Sequence, residues 1–348
     1  MPDRSSQPPI TMDDLARELG ISRGAVSLAL RNSPKISTTT KEKVHALAEK
    51  LGFRPNAMAS GLAKKKVFSQ IRPVSDAIAW LNLWPEPAKL RQLAEFDLYW
   101  KGALQTAENM GYRLEEFVAN DPPSFRRIER ILLARNVNGI LITPHTGFTI
   151  NWSCMNWDQF SVVRFGQAMP GMPPFQAVTS DQASNAALAF AKMTERGYQR
   201  IGFVGAETTV WKTLGGFCQA QFTTIPASRR IPPLLYRMWE EEKNFNRLAY
   251  WLKHSKPDAI LTERAELPAQ LATLGIKAPE QIGIASMSIL DIETDAGIYQ
   301  NSEEIGRVAI HNLISLMRDN LRGAPSIFRQ ALVAGKWVDG SSLPPKET

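Results

Sequence analysis

The chain has 348 residues, of which 44% are hydrophobic and 22% charged, and this composition excludes a disordered chain and favours a globular protein with a large core. Its net charge of +7 is uneven, because twelve Lys and Arg stand against six Asp and Glu up to Lys66 and leave about one charge for the rest. A basic N-terminal part indicates a polyanionic partner.

The sequence gives little support to a disulfide-stabilised, metal-binding, secreted or membrane protein. Cys154 and Cys218 lie far apart without metal-ligand spacing, and the four histidines are scattered, so we expect no disulfide framework, no metal and no cofactor. No apolar run is long enough to span a membrane, and residues 1–9 are a polar tail that lacks the apolar core of a secretory signal. We therefore expect a cytoplasmic protein without membrane contact.

Residues 11–52 predict three short amphipathic helices. Thr11 is a suitable N-cap for the first helix, and Gly20 ends it. Ser22 caps a second helix from Arg23 to about residue 30, and a third begins after Ser37 and stops at residue 52. The turn between the first two helices is only two residues long, which is the spacing of a helix-turn-helix motif.

The segment from Pro55 to Lys66 predicts a fourth, very short helix. Ala57, Ala59, Ser60 and Gly61 are small enough to allow close approach to another backbone. A helix of this length has little to stabilise it in water.

From residue 76 onward, short apolar runs alternate with amphipathic helices. This alternation predicts parallel sheets with right-handed crossovers. The predicted strands are 77–83, 112–118, 139–143, 160–165, 200–204, 234–238, 259–261 and 283–287, and the predicted helices are 97–110, 124–136, 182–196, 210–221, 243–254 and 267–274. Gly-x-Gly-x-x-Gly, a nucleotide-binding signature, is absent.

The N-terminal motifs resemble those of the lactose-repressor (LacI/GalR) family of bacterial transcription factors. The matching segments are 15–30, 33–37, 40–44, 51–56 and 59–63, without gaps. Weaker motifs of the family follow in the same order, among them 100–103, 137–141, 179–181, 196–203, 257–261 and 299–301. The resemblance implies an α-helical helix-turn-helix headpiece followed by an α/β effector domain of two Rossmann-like, periplasmic-binding-protein-like lobes.

By this resemblance we expect the following domains. Residues 1–9 are a flexible tail, 10–54 a DNA-binding domain, 55–67 a hinge helix and linker, and 68–348 the effector-binding and dimerisation domain. The N-lobe is expected at about 74–166 and 301–323, and the C-lobe at about 175–299 and 326–340. The crossings between lobes would then lie near 167–175, which is rich in Pro and Gly, near Gln300, and near 323–328.

The resemblance also implies the DNA contacts. Arg23, at the start of the second helix, is placed to read guanine, and Leu28 could contact only a thymine methyl. Leu62 would wedge open a base step in the minor groove. The full set of expected DNA-binding residues is Thr11, Ser22, Arg23, Ser27, Leu28, Arg31, Lys35, Ser37, Thr40, Asn56, Ala59 and Leu62. Ser22, Ser37 and Thr11 are also explained as helix caps.

The expected effector cleft departs from the family pattern. Relatives hold ligands with an arginine, an Asn-Asp pair and an aspartate, whereas the matching positions here are Thr213, Arg264 with Ala265, and Ser288. We therefore expect a ligand with a stacking face, such as a glycan or aromatic glycoside, which could be anionic. The candidate cleft residues are Trp84, His145, Trp211, Thr213, Arg264, Ser288 and Gln300.

The predicted function is that of a sequence-specific regulator, expected to be a repressor. It would bind a near-palindromic double-stranded DNA operator as a homodimer on the nucleoid, with a small molecule in the cleft changing its DNA affinity. An effector-independent regulator with a vestigial cleft stays open. A solute receptor and a cleft enzyme are remote alternatives, and the chain has no nucleophile elbow and no spaced Ser/His/Asp set.

Overall fold

The computed structural model describes residues 10–30, 33, 36–51, 53, 76–119, 122–144, 150–168, 171–207, 211–237 and 240–346. The chain divides between Pro73 and Val74 into two compact units, which we call the headpiece and the body. Residues 54–75 lie outside the described part, so the hinge helix and the expected boundary after residue 67 stay predictions.

The headpiece consists of α1 (Met12–Leu19), α2 (Arg23–Leu30) and α3 (Thr38–Leu51). The predicted caps are confirmed. Thr11 and Asp14 form a capping box, and Gly20 ends α1 with a left-handed φ of 63°. Ser22 Oγ accepts a hydrogen bond from Ala25 N at 3.1 Å, and Ser37 Oγ accepts one from Thr40 N at 3.3 Å.

A small shared core holds the three helices together. Leu15 of α1, Val26 and Ala29 of α2, and Val44 of α3 are each fully buried. Because α2 turns these residues inward, Arg23 and Leu28 lie on its exposed face. The headpiece therefore presents one side of α2 to solvent.

The body alternates strands and helices as predicted. Its strands are β1 (Asp76–Asn82), β2 (Tyr112–Val118), β3 (Gly139–Ile142), β4 (Ser161–Phe165), β5 (Gln176–Ser180), β6 (Ile201–Ala206), β7 (Leu234–Tyr236), β8 (Ala259–Thr262), β9 (Gly283–Ser286), β10 (Gly297–Tyr299), β11 (Gln330–Val333) and β12 (Lys336–Val338). Its helices are α4 (Pro87–Leu90), α5 (Ala94–Asn109), α6 (Pro122–Ala134), α7 (Gln182–Glu195), α8 (Trp211–Thr224), α9 (Glu241–Ser255), α10 (Leu267–Thr273) and α11 (Ser302–Arg318). Short 3₁₀ turns lie at Trp152–Cys154, Trp157–Gln159 and Ala227–Arg229.

The strands form two sheets of six, which define the N-lobe and the C-lobe. The N-lobe sheet has the order β11-β5-β4-β3-β1-β2, and its paired strands are parallel. The C-lobe sheet has the order β12-β10-β9-β8-β6-β7 and is parallel except for β12, which runs antiparallel to β10. The predicted two-lobed α/β class is confirmed.

Two of the three predicted crossings between lobes are wrong. The loop 166–175 stays in the N-lobe, because Phe175 is fully buried with its ring 5.2 Å from Trp157, and β5 then pairs with β4. The segment 323–328 also stays there, because Gly323 N donates to Phe160 O at 2.9 Å and β11 pairs with β5. The N-lobe therefore extends to Ser180 and includes β11, contrary to the expected bounds.

The chain crosses between the lobes at Asp181, at Gln300-Asn301 and at Ala334-Gly335. These three segments are joined by hydrogen bonds. Asp181 N donates to Val333 O at 2.9 Å, Asn301 Nδ2 donates to Ala334 O at 2.7 Å, and Gln182 Nε2 donates to Gln300 Oε1 at 3.0 Å. We call these three segments the interlobe crossings.

Two helices of the N-lobe cross at unusually short distance. A Cβ atom on Gly102 of α5 would overlap the carbonyl oxygen of Glu303, and one on Gly306 of α11 would overlap that of Tyr99. Close approach of α5 and α11 thus depends on these two glycines. In this packing, the N-terminus of α5 lies at the edge of the N-lobe that faces the C-lobe.

Among the described residues, Cys154 and Cys218 are free thiols, and no group of three or more His, Cys, Asp or Glu could bind a metal ion. The described helices include none with the length and apolarity to span a membrane.

Candidate nucleic-acid interface and interlobe cleft

Arg23 lies at the first position of α2 with 63% of its side chain exposed. Its Nη1 is 3.6 Å from Asp13 Oδ2 of α1, whose side chain is 58% exposed. An exposed ion pair of this kind contributes little free energy, so the guanidinium can leave it for a base edge at small cost. Leu28, further along α2, is 37% exposed and offers only apolar contact.

Hydroxyl side chains of the predicted DNA-binding set lie at the start of each helix and within α2. Thr11, Ser22 and Ser37 are exposed, while Ser27 and Thr40 are half-buried. The hydroxyls of Ser37 and Thr40 are 2.8 Å apart. Helix N-termini with hydroxyl caps suit phosphate oxygens, because backbone N–H groups and the helix dipole favour an anion there.

The structure leaves part of the predicted DNA surface untested. Arg31, Lys35, Asn56, Ala59 and Leu62 lie outside the described residues. Their assigned roles stay predictions.

The predicted cleft residues divide into two groups. On the C-lobe side, Thr213 and Arg264 both lie beside Glu263, and Gln300 Nε2 donates to Met287 O at 2.8 Å, next to Ser288. Trp84, on the N-lobe, donates from Nε1 to Pro144 O at 2.7 Å and packs edge-on against Phe96, with ring centroids 6.1 Å apart. His145 and the side chain of Trp211 lie outside the described part of the chain.

Arg264 is already paired within its own loop. Its Nη2 and Nε donate to Glu266 Oε1 at 2.6 and 2.8 Å, and its Cζ lies 5.8 Å from the ring centroid of Tyr236. The predicted cation of the cleft is therefore neutralised by a neighbouring carboxylate, which weakens the expectation of an anionic ligand.

Three acidic residues outside the predicted set lie beside its members: Glu263 beside Thr213 and Arg264, and Glu95 and Asp291 near Ser288. Burial raises the pKa of Glu95 to about 7; the Ser288 hydroxyl opposes this shift and the Asp291 charge adds to it. Burial also raises the pKa of Glu263, against the opposing effects of Thr213 and Arg264, and Glu263 Oε2 has no hydrogen-bond partner. Asp291 accepts two backbone hydrogen bonds from the N-terminus of α5.

Glu263 could have been found from the sequence. It directly follows a buried strand, β8, and ligands of open parallel sheets bind at the carboxyl ends of strands. Glu95 and Asp291 carry no comparable signal, because an acidic residue in the first turn of a helix is ordinary and a loop aspartate is common.

A helix-turn-helix unit together with a two-lobed α/β body is typical of DNA-binding transcriptional regulators. Comparisons with known proteins agree. Residues 11–56 match the family model described as bacterial regulatory proteins, lacI family.

Curated relatives match over nearly the whole length. The HTH-type transcriptional regulator MalR of Streptococcus pneumoniae serotype 4 is 23% identical over 342 residues, which cover 95% of this chain and 99% of that protein. Catabolite control protein A of Staphylococcus aureus strain MRSA252 is 23% identical over 335 residues, covering 91% of this chain and 95% of that protein.

Solved structures share the fold. The transcriptional regulator CelR in complex with cellobiose has a TM-score of 0.57 at 16% identity, with 96% of this chain and 99% of that chain covered. The lac repressor dimer bound to operator and the anti-inducer ONPF has a TM-score of 0.52 at 17% identity, with 97% and 100% covered. Residues 11–56 thus carry the DNA-binding domain of the LacI family of bacterial regulatory proteins, and the body shares its fold with solved regulators of this kind.

Proposed function

We propose that the chain is a repressor that binds a near-palindromic operator as a homodimer in the bacterial cytoplasm, on the nucleoid. Two copies of α2 would enter successive major grooves, with half-sites about one helical turn apart. The observation that carries this proposal is the exposed Arg23 at the start of α2, next to a turn of helix-turn-helix length.

Few side chains on this surface can form hydrogen bonds with base edges. Gly24 has no side chain, and Leu28 offers only apolar contact. Arg23 is then the main base reader, with guanine O6 and N7 as its natural acceptors. Specificity depends for the rest on Leu62 and on the deformability of the operator.

Selection of bound sequences from a random DNA pool tests this assignment. Arg23→Ala should relax the preference at one position per half-site and weaken specific binding by about 1–3 kcal/mol. Lys50→Ala, which removes the same charge from the exposed end of α3, is the matched control and should leave the selected profile unchanged. An unaltered profile for Arg23→Ala contradicts the role.

We infer that the cleft binds a neutral, hydroxyl-rich ligand of the carbohydrate class. Glu263, whose Oε2 has no hydrogen-bond partner, supplies an acceptor for a hydroxyl donor, while Arg264 is occupied by Glu266. An anionic ligand would meet like charge there. The names of solved family members support the same class, since one contains cellobiose and another, a LacI family regulator from Enterococcus faecium, contains ribose.

A thermal-shift screen distinguishes ligand classes. Cellobiose, maltose and ribose are the neutral probes, and glucose 6-phosphate and galacturonate are the anionic ones. Neutral probes should raise the melting temperature, and Glu263→Gln should reduce that rise while Glu280→Gln, at an exposed site of the same lobe, should not. Stabilisation by the anionic probes alone contradicts the inferred class.

A second candidate is an effector-independent repressor. Trp84 Nε1, Arg264 and Asp291 all have partners within the chain, which is the state expected of a cleft that needs no ligand. Operator binding that is intact and insensitive to every probe in the screen favours this candidate.

A further inference from the structure

The N-terminus of α5 in the N-lobe is bound by a side chain of the C-lobe. Asp291 Oδ1 accepts a hydrogen bond from Ala94 N at 2.8 Å, and its Oδ2 accepts one from Glu95 N at 3.2 Å. Asp291 follows β9 of the C-lobe sheet, so both bonds join one lobe to the other.

The chain has no local substitute for this cap. The N-cap residue of α5 is Leu93, whose side chain cannot accept a hydrogen bond. The next two amides, of Phe96 and Asp97, donate to Leu93 O at 3.1 and 3.0 Å. Ala94 and Glu95 are thus the two amides that depend on Asp291, and a carboxylate is the acceptor favoured at a helix N-terminus.

A second contact lies at the same seam. Tyr99 Oη donates to Glu95 Oε1 at 3.5 Å, and the Ser288 hydroxyl of the C-lobe lies near the same carboxylate without a hydrogen bond to it. The groups that face Glu95 are Tyr99 from its own helix and Ser288 and Asp291 from the C-lobe, and no cation is among them. Glu95 is therefore enclosed by the partner lobe.

We propose that Asp291 and the N-terminus of α5 form a latch that holds the two lobes closed without any ligand. Charge-assisted hydrogen bonds to two amides suit this purpose, because opening the lobes leaves a helix end without partners. The inference rests on the proposed function in one respect only, which is that lobe closure is the state that an effector would change. A ligand would then act on a cleft that the protein itself has already closed.

Amide hydrogen exchange at residue resolution, measured on the full chain, tests the latch. Asp291→Ala should speed exchange of the Ala94 and Glu95 amides by at least about tenfold, as expected for losing a charge-assisted bond. It should also raise the radius of gyration measured by small-angle X-ray scattering. Glu293→Ala removes an exposed carboxylate from the same loop and should change neither reading.

Each outcome decides the proposal. Unchanged exchange at Ala94 and Glu95 in Asp291→Ala overturns it. Faster exchange with an unchanged radius of gyration also overturns it, since Asp291 would then be only a helix cap. Exchange of the β1 and β3 amides reports whether the variant is folded. Asp291→Asn keeps one acceptor, so its exchange rate at Ala94 and Glu95 should lie between those of the wild type and Asp291→Ala. Failure to find an operator or effector would leave these readings unaffected, so the two proposals fail separately.

Discussion

Single side chains determine the properties of the two candidate sites, the DNA-binding surface of α2 and the interlobe cleft. Acidic residues predominate at the cleft. Arg23 could be selected from the sequence because its position follows from local caps, Ser22 and Gly20, which act within a few residues. Glu95 and Asp291 could not, because their partners are almost two hundred residues away along the chain. Burial by a distant segment leaves no trace in local patterning.

Glu95 should make the stability of the body depend on pH near neutrality. Its pKa is raised from 4.5 to about 7 in the folded protein, so the folded form binds the extra proton. The associated stability is fully present below about pH 4.5 and is lost as pH rises through about 7, by roughly 3 kcal/mol at most.

Glu95→Gln should remove this dependence. Thermal unfolding of the wild type should show a fall in melting temperature between pH 5 and 8 that the variant lacks, apart from the change common to both. Glu108→Gln, at an exposed position of the same helix, should behave as the wild type does. Equal pH dependence of all three proteins would contradict the raised pKa.

At the scale of elements, most strands and helices could be predicted, and the errors come from short strands and from a packing contact that local sequence does not show. β5, β10, β11 and β12 were missed, since they are three to five residues long and two of them are exposed along part of their length. The Pro and Gly content of 167–175 favours a crossing between the lobes. The membership of this segment in the N-lobe depends on Phe175 reaching Trp157, which composition does not reveal.

Two adjacent glycines of α8 should respond oppositely to the same substitution. A Cβ on Gly216 would overlap the carbonyl oxygen of Ala183 in α7, whereas one on Gly215 would meet nothing within 4 Å. Gly216→Ala should therefore destabilise the C-lobe by about 2 kcal/mol or more. Gly215→Ala should stabilise it by about 0.5–1 kcal/mol, as expected for alanine in a helix interior.

Urea unfolding of the two variants gives the comparison directly, because each serves as the control of the other. A loss of similar size in both would show that the packing of α7 on α8 does not depend on Gly216.

At the scale of the whole molecule, DNA binding and the stability of the body should separate. We propose that Leu62, which lies outside the described residues, opens a base step of the operator. Leu62→Ala should weaken specific binding by about 1–3 kcal/mol and reduce DNA bending. Thermal unfolding of the body should not change, and full operator affinity with unchanged bending would contradict the assignment.

The order of strands in the two sheets also bears on how the protein is made. The three-helix core of the headpiece is complete once residue 53 has been synthesised, but the N-lobe requires α11 and β11, and the C-lobe requires β12, all from the last fifty residues. A ribosome-bound chain therefore carries a folded headpiece well before either lobe can complete its core. During synthesis the growing protein would expose both unfinished sheets, and chaperones that recognise unpaired strands would have their longest contact with it then.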